Sequence, residues 1–462
     1  MANKKKLAVT LRPTVKKRPI RTQKKVLLIW FLGAFFLLYQ FFLQIAPSVM
    51  IDPLAESFKT NALGISLMSS AYFYTYIALQ IPAGILVDKG NVRYIYAVSL
   101  ALLSLTCICF ALSQSFANSI ILRIMMGIFA SPGLVSAFYL VNRWFLKKYF
   151  ALFLGLTEMY CMLGSAIGQV LLAQGVIFIG WRNSMIVYGV IGLLVAGLSY
   201  IIIKERKTTD ASEISFKVHR ILWRQIKTEN PDKPNPPSHF KQHFKRLMTM
   251  PEVWIAGIVC GIPFSILSAF AGFWCIPLLQ TNFNLSLSHA SMASAVILLG
   301  GAACTPLAGI LVEKLKNIER WMAMGLFLAA LLFLPFILFA HIPISLMICI
   351  LVLLGMLSAV YVAPFALVKN MVPNEISSTA MGMVNILCII IGAPLLVPLV
   401  GVAIRTSQHF GLSESGGFQA GLSLFPILLV AAAIMSLWLA KKKPKKSNIN
   451  PKSIQAKIKQ TA

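Results

Sequence analysis

The chain has 462 residues, 58% of them hydrophobic and only 12% charged, yet Lys and Arg outnumber Asp and Glu by 42 to 14 for a net charge of +28. Its apolar residues are gathered in runs too long for two or three soluble domains, which argues against a water-soluble enzyme. The basic excess would suit nucleic acid in a soluble protein, so the positions of those charges decide what they are for.

Crossing roughly 30 Å of hydrocarbon takes about 20 helical residues, and twelve runs reach that length. In chain order the expected spans are 26–50, 63–87, 92–112, 117–141, 150–173, 184–203, 253–280, 287–312, 320–341, 344–367, 379–404 and 418–440. Ahead of the first, residues 1–25 carry ten basic residues and no acid, and no small-residue cleavage site follows. That run therefore reads as a first span and not as a removable signal peptide. Residues 204–252 form the longest polar stretch between spans and carry eleven basic residues with a breaker from Asn230 to Pro237. Before the breaker, Ile214, Val218, Ile221 and Leu222 share one helical face while Lys217, Arg220, Arg224 and Lys227 occupy another. Such a helix lies on the lipid surface or docks on the ends of the bundle. The tail 441–462 has eight lysines, no acid and no apolar period, so it is expected to stay unfolded.

These elements divide the chain into a basic N-terminal tail (1–25), a six-helix bundle (26–203), a linker (204–252), a second six-helix bundle (253–440) and a basic tail (441–462). The expected fold is an all-α polytopic membrane protein of two six-helix bundles. With the N-terminus inside, 38 of the 42 basic residues fall in the inner segments. Lys59, Arg182 and Arg405 fall outside, and Arg123 lies within a span. This is the positive-inside distribution. It accounts for the charge by orientation and by attraction to anionic headgroups, with membrane lipids as partners in place of nucleic acid. The expected location is a bacterial plasma membrane with both termini cytoplasmic. All eight cysteines sit inside spans, and Cys107 and Cys109 project to nearly opposite sides of a helix, so neither a disulfide framework nor a metal site is expected.

One hexapeptide occurs twice. Gly84-Ile85-Leu86-Val87-Asp88-Lys89 returns as Gly309-Ile310-Leu311-Val312-Glu313-Lys314, each copy closing a long apolar run and each preceded by a proline, Pro82 and Pro306. Parallel repeats of this size belong to transporters whose substrate site lies between the halves. Asp88 stands at the inner mouth of span two, where a carboxylate can accept from a helix N-terminus or a nearby arginine; the alternative is an ordinary charged loop cap. Arg123, Gly127 and Ser131 share a face of span four, and an intramembrane cation there is either functional or snorkels to the headgroups. Glu158 is the only acid inside a span, with Ser165 and Gln169 continuing its face. Low dielectric disfavours the charged form of such a carboxyl, which suits a group that takes up and releases a proton; a structural carboxylate bonded to a hydroxyl is the alternative. Gly155 to Glu158 also aligns with Gly382 to Asn385, placing an acid and an amide at equivalent positions of the halves. Polar and aromatic stripes suggest the lining: Gln40 and Gln44 in span one, Tyr72 and Tyr76 in span two, Ser358 and Tyr361 in span ten. Trp274 beside Pro277 and Tyr361 near Pro364 mark possible bends.

Gly84-x-Leu86-x-Asp88-Lys89 with Arg93 resembles the loop signature between helices two and three of the major facilitator superfamily. Asn91 and Val92 stand where that family usually has a glycine and a basic residue. The second copy, with Gly309, Glu313, Lys314 and Arg320, is similar to the family's degenerate loop between helices eight and nine. Arg123-x-x-x-Gly127 is similar to its fourth-helix motif, and the resemblance implies a link to proton coupling. Tyr39 to Met50, Gln80 to Asp88 and Phe270 to Leu278 further resemble a bacterial branch related to lysosomal dipeptide carriers, although an acid and an arginine are frequent there where Gln40 and Gln44 stand. The resemblance implies alternating access and an amino-acid-like, short-peptide or organic-acid cargo.

No Gly-rich phosphate loop followed by Lys and Ser/Thr is present, which argues against ATP-driven transport, and no catalytic constellation stands out. The expected function is a monomeric secondary transporter, needing no cofactor and no metal, that couples a small-molecule substrate to protons through Glu158 and Arg123. Gln40, Gln44, Tyr72, Tyr76, Trp274, Tyr361 and Asn385 are the expected substrate contacts. An uncoupled carrier for a neutral solute and a receptor that has lost transport are the alternatives.

Overall fold

A computed structural model describes residues 20–144, 150–203, 247–315, 317–339, 341–372 and 377–441. The expected surface helix at 214–227 and most of both basic tails lie outside the described residues, and so do the side chains of Asp88, Lys89, Glu158, Glu313 and Lys314.

The described chain is helical, and ten helices are long and apolar enough to cross a membrane. Two local departures account for the difference from twelve. Span two is not one helix: Ala62–Ala78 ends, the chain turns at Leu79, and Gln80–Lys89 resumes. Pro82 supplies the cause, because its ring has no N–H for the Ala78 carbonyl four residues earlier and collides with it. Spans five and six are conversely joined, with helical turns through the expected connector at 174–183 in a single stretch, Phe150–Ile202. Only Gly180, at φ 77 and ψ 162, leaves the helix there. That backbone region is open to glycine alone, so one residue reverses the chain.

Each half is built by the same pairings. Span one packs on span five, two on four and three on six; seven on eleven, eight on ten and nine on twelve repeat them. Each half has a close helix–helix approach at a glycine. A Cβ on Gly127 would stand 2.2 Å from the Tyr72 carbonyl oxygen, and one on Gly355 would stand 2.1 Å from the Ile297 carbonyl oxygen. Small residues let helix backbones meet where lipid gives no hydrophobic drive for association. Thr75 exploits the contact by donating its hydroxyl to the Ile124 carbonyl at 2.9 Å. Gly127→Ala and Gly355→Ala are each expected to cost about 1 to 3 kcal/mol, the range for overpacking a close contact. Thermal unfolding of the purified variants checks this, and an unchanged midpoint would contradict it.

Prolines and wide turns interrupt two spans at corresponding places. Span seven runs as Pro251–Ser265, a π-helical stretch Ile266–Trp274, and Cys275–Phe283. Span eleven runs as Ser377–Ile390, a π-helical turn Ile391–Leu395 containing Pro394, and Leu396–His409. Span ten carries a tight 3-10 turn, Ala359–Val362, immediately before Pro364. Such irregular turns leave carbonyls outside the regular ladder, and they favour functional sites.

Candidate functional site

A cavity with about 140 Å3 open to water-sized molecules lies between the two halves. Spans one, two, four and five line it from the first half, and seven, eight, ten and eleven from the second. Gln44, Tyr76 and Ser165 bring polar groups from one side; Ser268, Tyr361 and Asn385 bring them from the other. Phe41, Phe73 and Phe264 and a set of aliphatic and sulfur-bearing side chains, Cys161 and Cys388 among them, complete the wall. The Tyr361 ring packs tilted on Phe264 with centres 5.3 Å apart, and its carbonyl accepts from the Cys260 thiol at 3.1 Å.

Of the seven expected substrate contacts, Gln44, Tyr76, Tyr361 and Asn385 border this cavity. Gln40, Tyr72 and Trp274 do not. Gln40 is fully buried inside the first bundle, tight against Gly133, with neither amide atom hydrogen-bonded. Tyr72 is buried beneath Arg123, whose guanidinium carbon lies 5.1 Å from the ring centre. Trp274 donates its indole N–H to the Val397 carbonyl at 3.0 Å and wedges span seven onto span eleven near Gly401. Helical spacing puts Gln40 and Gln44 on one face. Helical spacing cannot say that the bundle's own helices cover the first and leave the second open. Ser268, Cys161 and Cys388 were not anticipated, although Cys388 follows Asn385 by one helical turn and could have been found from it.

Arg123 does not snorkel. It is 1% exposed and points inward. One terminal nitrogen donates to the Leu43 carbonyl at 2.8 Å and touches the Met126 sulfur at 3.6 Å; the other donates to the Gln44 carbonyl at 3.1 Å. The sequence explains the first of these acceptors, since Pro47 has no N–H to give the Leu43 carbonyl four residues before it. Arg123 thus closes the gap that Pro47 opens in span one, at the residue whose side chain enters the cavity. Gly127, one turn along, brings span four close enough to do so.

Contacts between the halves gather from mid-depth to the end remote from the repeated loops. Gln169 donates to the Ala271 carbonyl at 2.6 Å, in the π-helical stretch of span seven, and Ser294 donates to the same oxygen at 2.8 Å. Tyr74 donates to the Pro394 carbonyl at 2.8 Å, an acceptor freed because Pro398 has no N–H. Gln174 reaches Ser288 at 2.6 Å near the remote ends of spans five and eight. At the opposite end a Cβ on Gly84, Gly309 or Gly382 would have no neighbour within 4 Å among the described residues. Asn91 caps the third span by accepting from the Arg93 amide at 3.0 Å, and the Arg93 side chain donates to the Tyr200 carbonyl at 2.5 Å and lies over that ring. Asn91, a departure from the usual loop pattern, therefore has a local role as a helix cap. Arg320 is exposed at the start of span nine.

Two six-helix bundles with matching internal pairings and a cavity between them define a polytopic helical membrane protein of the two-fold repeat type. The family model for the Major Facilitator Superfamily matches residues 30–397, and the chain belongs to that superfamily. It is 23% identical over 271 residues to a probable L-galactonate transporter of Escherichia coli (strain K12), a match covering 58% of this chain and 56% of that one. It is 25% identical over 161 residues to a hexuronate transporter of Bacillus subtilis (strain 168), covering 35% and 38%. The chain spans about half the length, or less, of these curated relatives. Among solved structures, a bacterial homolog to the human lysosomal transporter Spinster, crystallised inward-facing and occupied, superimposes with a TM-score of 0.71 at 16% identity over 92% of this chain and 98% of that one.

Proposed function

We propose that the protein is a secondary transporter that moves a small organic solute across a bacterial plasma membrane by alternating access, driven by protons. The observation that carries this reading is the cavity lined by both halves and bridged between them, among the described residues, by side-chain hydrogen bonds that can be broken and remade. With both termini cytoplasmic, the described contacts correspond to an outer closure. Among the described residues nothing packs on Gly84 or Gly309, which fits inner ends held apart. In the opposite state the repeated loops would meet, with Asp88, Lys89 and Arg93 on one side and Glu313, Lys314 and Arg320 on the other. Each would then bias the equilibrium by the contacts it makes in one state alone.

Glu158 is the proposed proton site. Its position on the helix is one turn before Cys161 and Met162 and two turns before Ser165, all of which border the cavity. An acid at that register can exchange a proton with the cavity, and its protonation can differ between the loaded and the empty carrier. The relatives' names bring sugar acids into the range of solutes to be tried, beside amino acids and dipeptides.

Proteoliposomes with and without an imposed pH difference test the proposal directly. Uptake of the transported solute should rise with an inward proton gradient, and Glu158→Gln should retain counterflow while losing accumulation. A Glu158→Gln variant that still concentrates solute would rule out this coupling site and favour an uncoupled carrier. Binding without counterflow in the native protein would leave a receptor.

A further inference from the structure

The polar groups that face the cavity are of one kind. Gln44 and Asn385 offer amides, Ser165 and Ser268 hydroxyls, Tyr76 and Tyr361 phenols; among the described residues none of the lining side chains is basic or acidic. The Ser268 hydroxyl is already spent on the Phe264 and Gly392 carbonyls at 3.0 and 2.6 Å. The remaining wall is aromatic and aliphatic. An ion taken into such a site loses its hydration and finds no counter-charge, which lowers affinity by orders of magnitude, whereas amide and hydroxyl groups can be matched one for one. Carboxylate recognition by a forked guanidinium is not what these side chains offer.

We infer that the cargo is an uncharged solute with an apolar face and a few amide or hydroxyl groups, held between the Gln44 and Asn385 amides from opposite halves. This rests on the carrier reading above, and in the proton-driven form Glu158 binds its proton while the solute is present. The described lining side chains and the solute are then all neutral, and the proton alone adds charge to the cavity. A sugar acid or a zwitterionic amino acid would be excluded in its ionised form.

Two native thiols, Cys161 and Cys388, border the cavity and report its charge preference without knowledge of the solute. The full chain in nanodiscs is treated with neutral methyl methanethiosulfonate, its anionic sulfonatoethyl analogue or its cationic trimethylammonioethyl analogue. Modification of the two cysteine peptides is followed by mass spectrometry and normalised to free cysteine. The neutral reagent should be favoured by about tenfold or more over both charged ones. Free-cysteine ratios at Cys388, or preference for either charged reagent, would overturn the inference. In a second arm, binding is compared within matched pairs: N-acetylphenylalaninamide against phenylalanine, and galactonamide against galactonate. The uncharged member of at least one pair should bind about tenfold tighter, with the advantage lost in Gln44→Ala and Asn385→Ala. Tighter binding of the charged members, or no binding by any uncharged one, would overturn it. Both arms read reaction or binding and not movement, so a chain that fails to transport leaves their outcome intact.

Discussion

Arg123→Leu is expected to destabilise the first bundle by about 3 kcal/mol, and Pro47→Ala is expected to restore a large part of that loss. Two charge-assisted hydrogen bonds, each worth about 1.5 to 3 kcal/mol, disappear with the guanidinium and leave the Leu43 and Gln44 carbonyls without their donor; relief from burying a cation offsets part of the sum. Alanine at position 47 would supply the N–H that proline lacks and bond the Leu43 carbonyl within the helix. The internal repeat supports this account. Gly355 repeats the close approach that Gly127 makes, yet the place corresponding to Arg123 is taken by Leu351, which is fully buried. The glycine thus serves helix packing in both halves, while the arginine serves something only the first half has, the carbonyls around Pro47. Thermal unfolding and initial uptake rates of Arg123→Leu, Pro47→Ala and the double variant decide the matter. Partial recovery of both stability and uptake is the expected result. If the double variant were as impaired as the sum of its parts, with coupling abolished by Arg123→Leu at unchanged stability, the residue would be a proton relay and not a backbone clamp.

Most of the fold was legible because a bilayer imposes length and polarity on each span. Residues 92–112 match the helix Val92–Leu112 at both ends. Failures came where one residue acts alone. Pro82 was visible, but whether a proline kinks a span or splits it depends on how the freed Ala78 carbonyl is placed. Gly180 sits in an apolar sequence, GVIFIGW, that carries no polar loop to mark the reversal. The site was legible as stripes, not as a cavity. Period 3.6 assigns Gln40, Gln44, Tyr72 and Tyr76 to faces, and only the packing of neighbouring helices separates cavity from bundle interior. Arg123 shows the same limit. Its burial depends on Gly127 drawing span four inward and on acceptors eighty residues away in sequence, and no local pattern encodes that pairing.

The latch at the remote end gives the second large effect. Gln169 and Tyr74 hold the halves together through carbonyls in the π-helical stretches of spans seven and eleven. Each bond contributes about 0.5 to 1.5 kcal/mol. Loss of both in Gln169→Leu with Tyr74→Phe should shift the conformational equilibrium by about 1 to 3 kcal/mol, roughly 5- to 150-fold towards opening at that end. Ser294 keeps the Ala271 carbonyl satisfied, so Gln169→Leu removes a link between the halves without orphaning its acceptor. Spin labels at Lys59 and Phe410, exposed on opposite halves at the remote end, measure the separation by double electron–electron resonance. A longer distance should appear in the double variant and grow with each substitution. Should the distribution stay that of the native chain, the two hydrogen bonds accompany closure without holding it. The apolar contacts of span one with span seven, where a Cβ on Gly272 would lie 3.5 Å from Ile45, would then carry the closure instead.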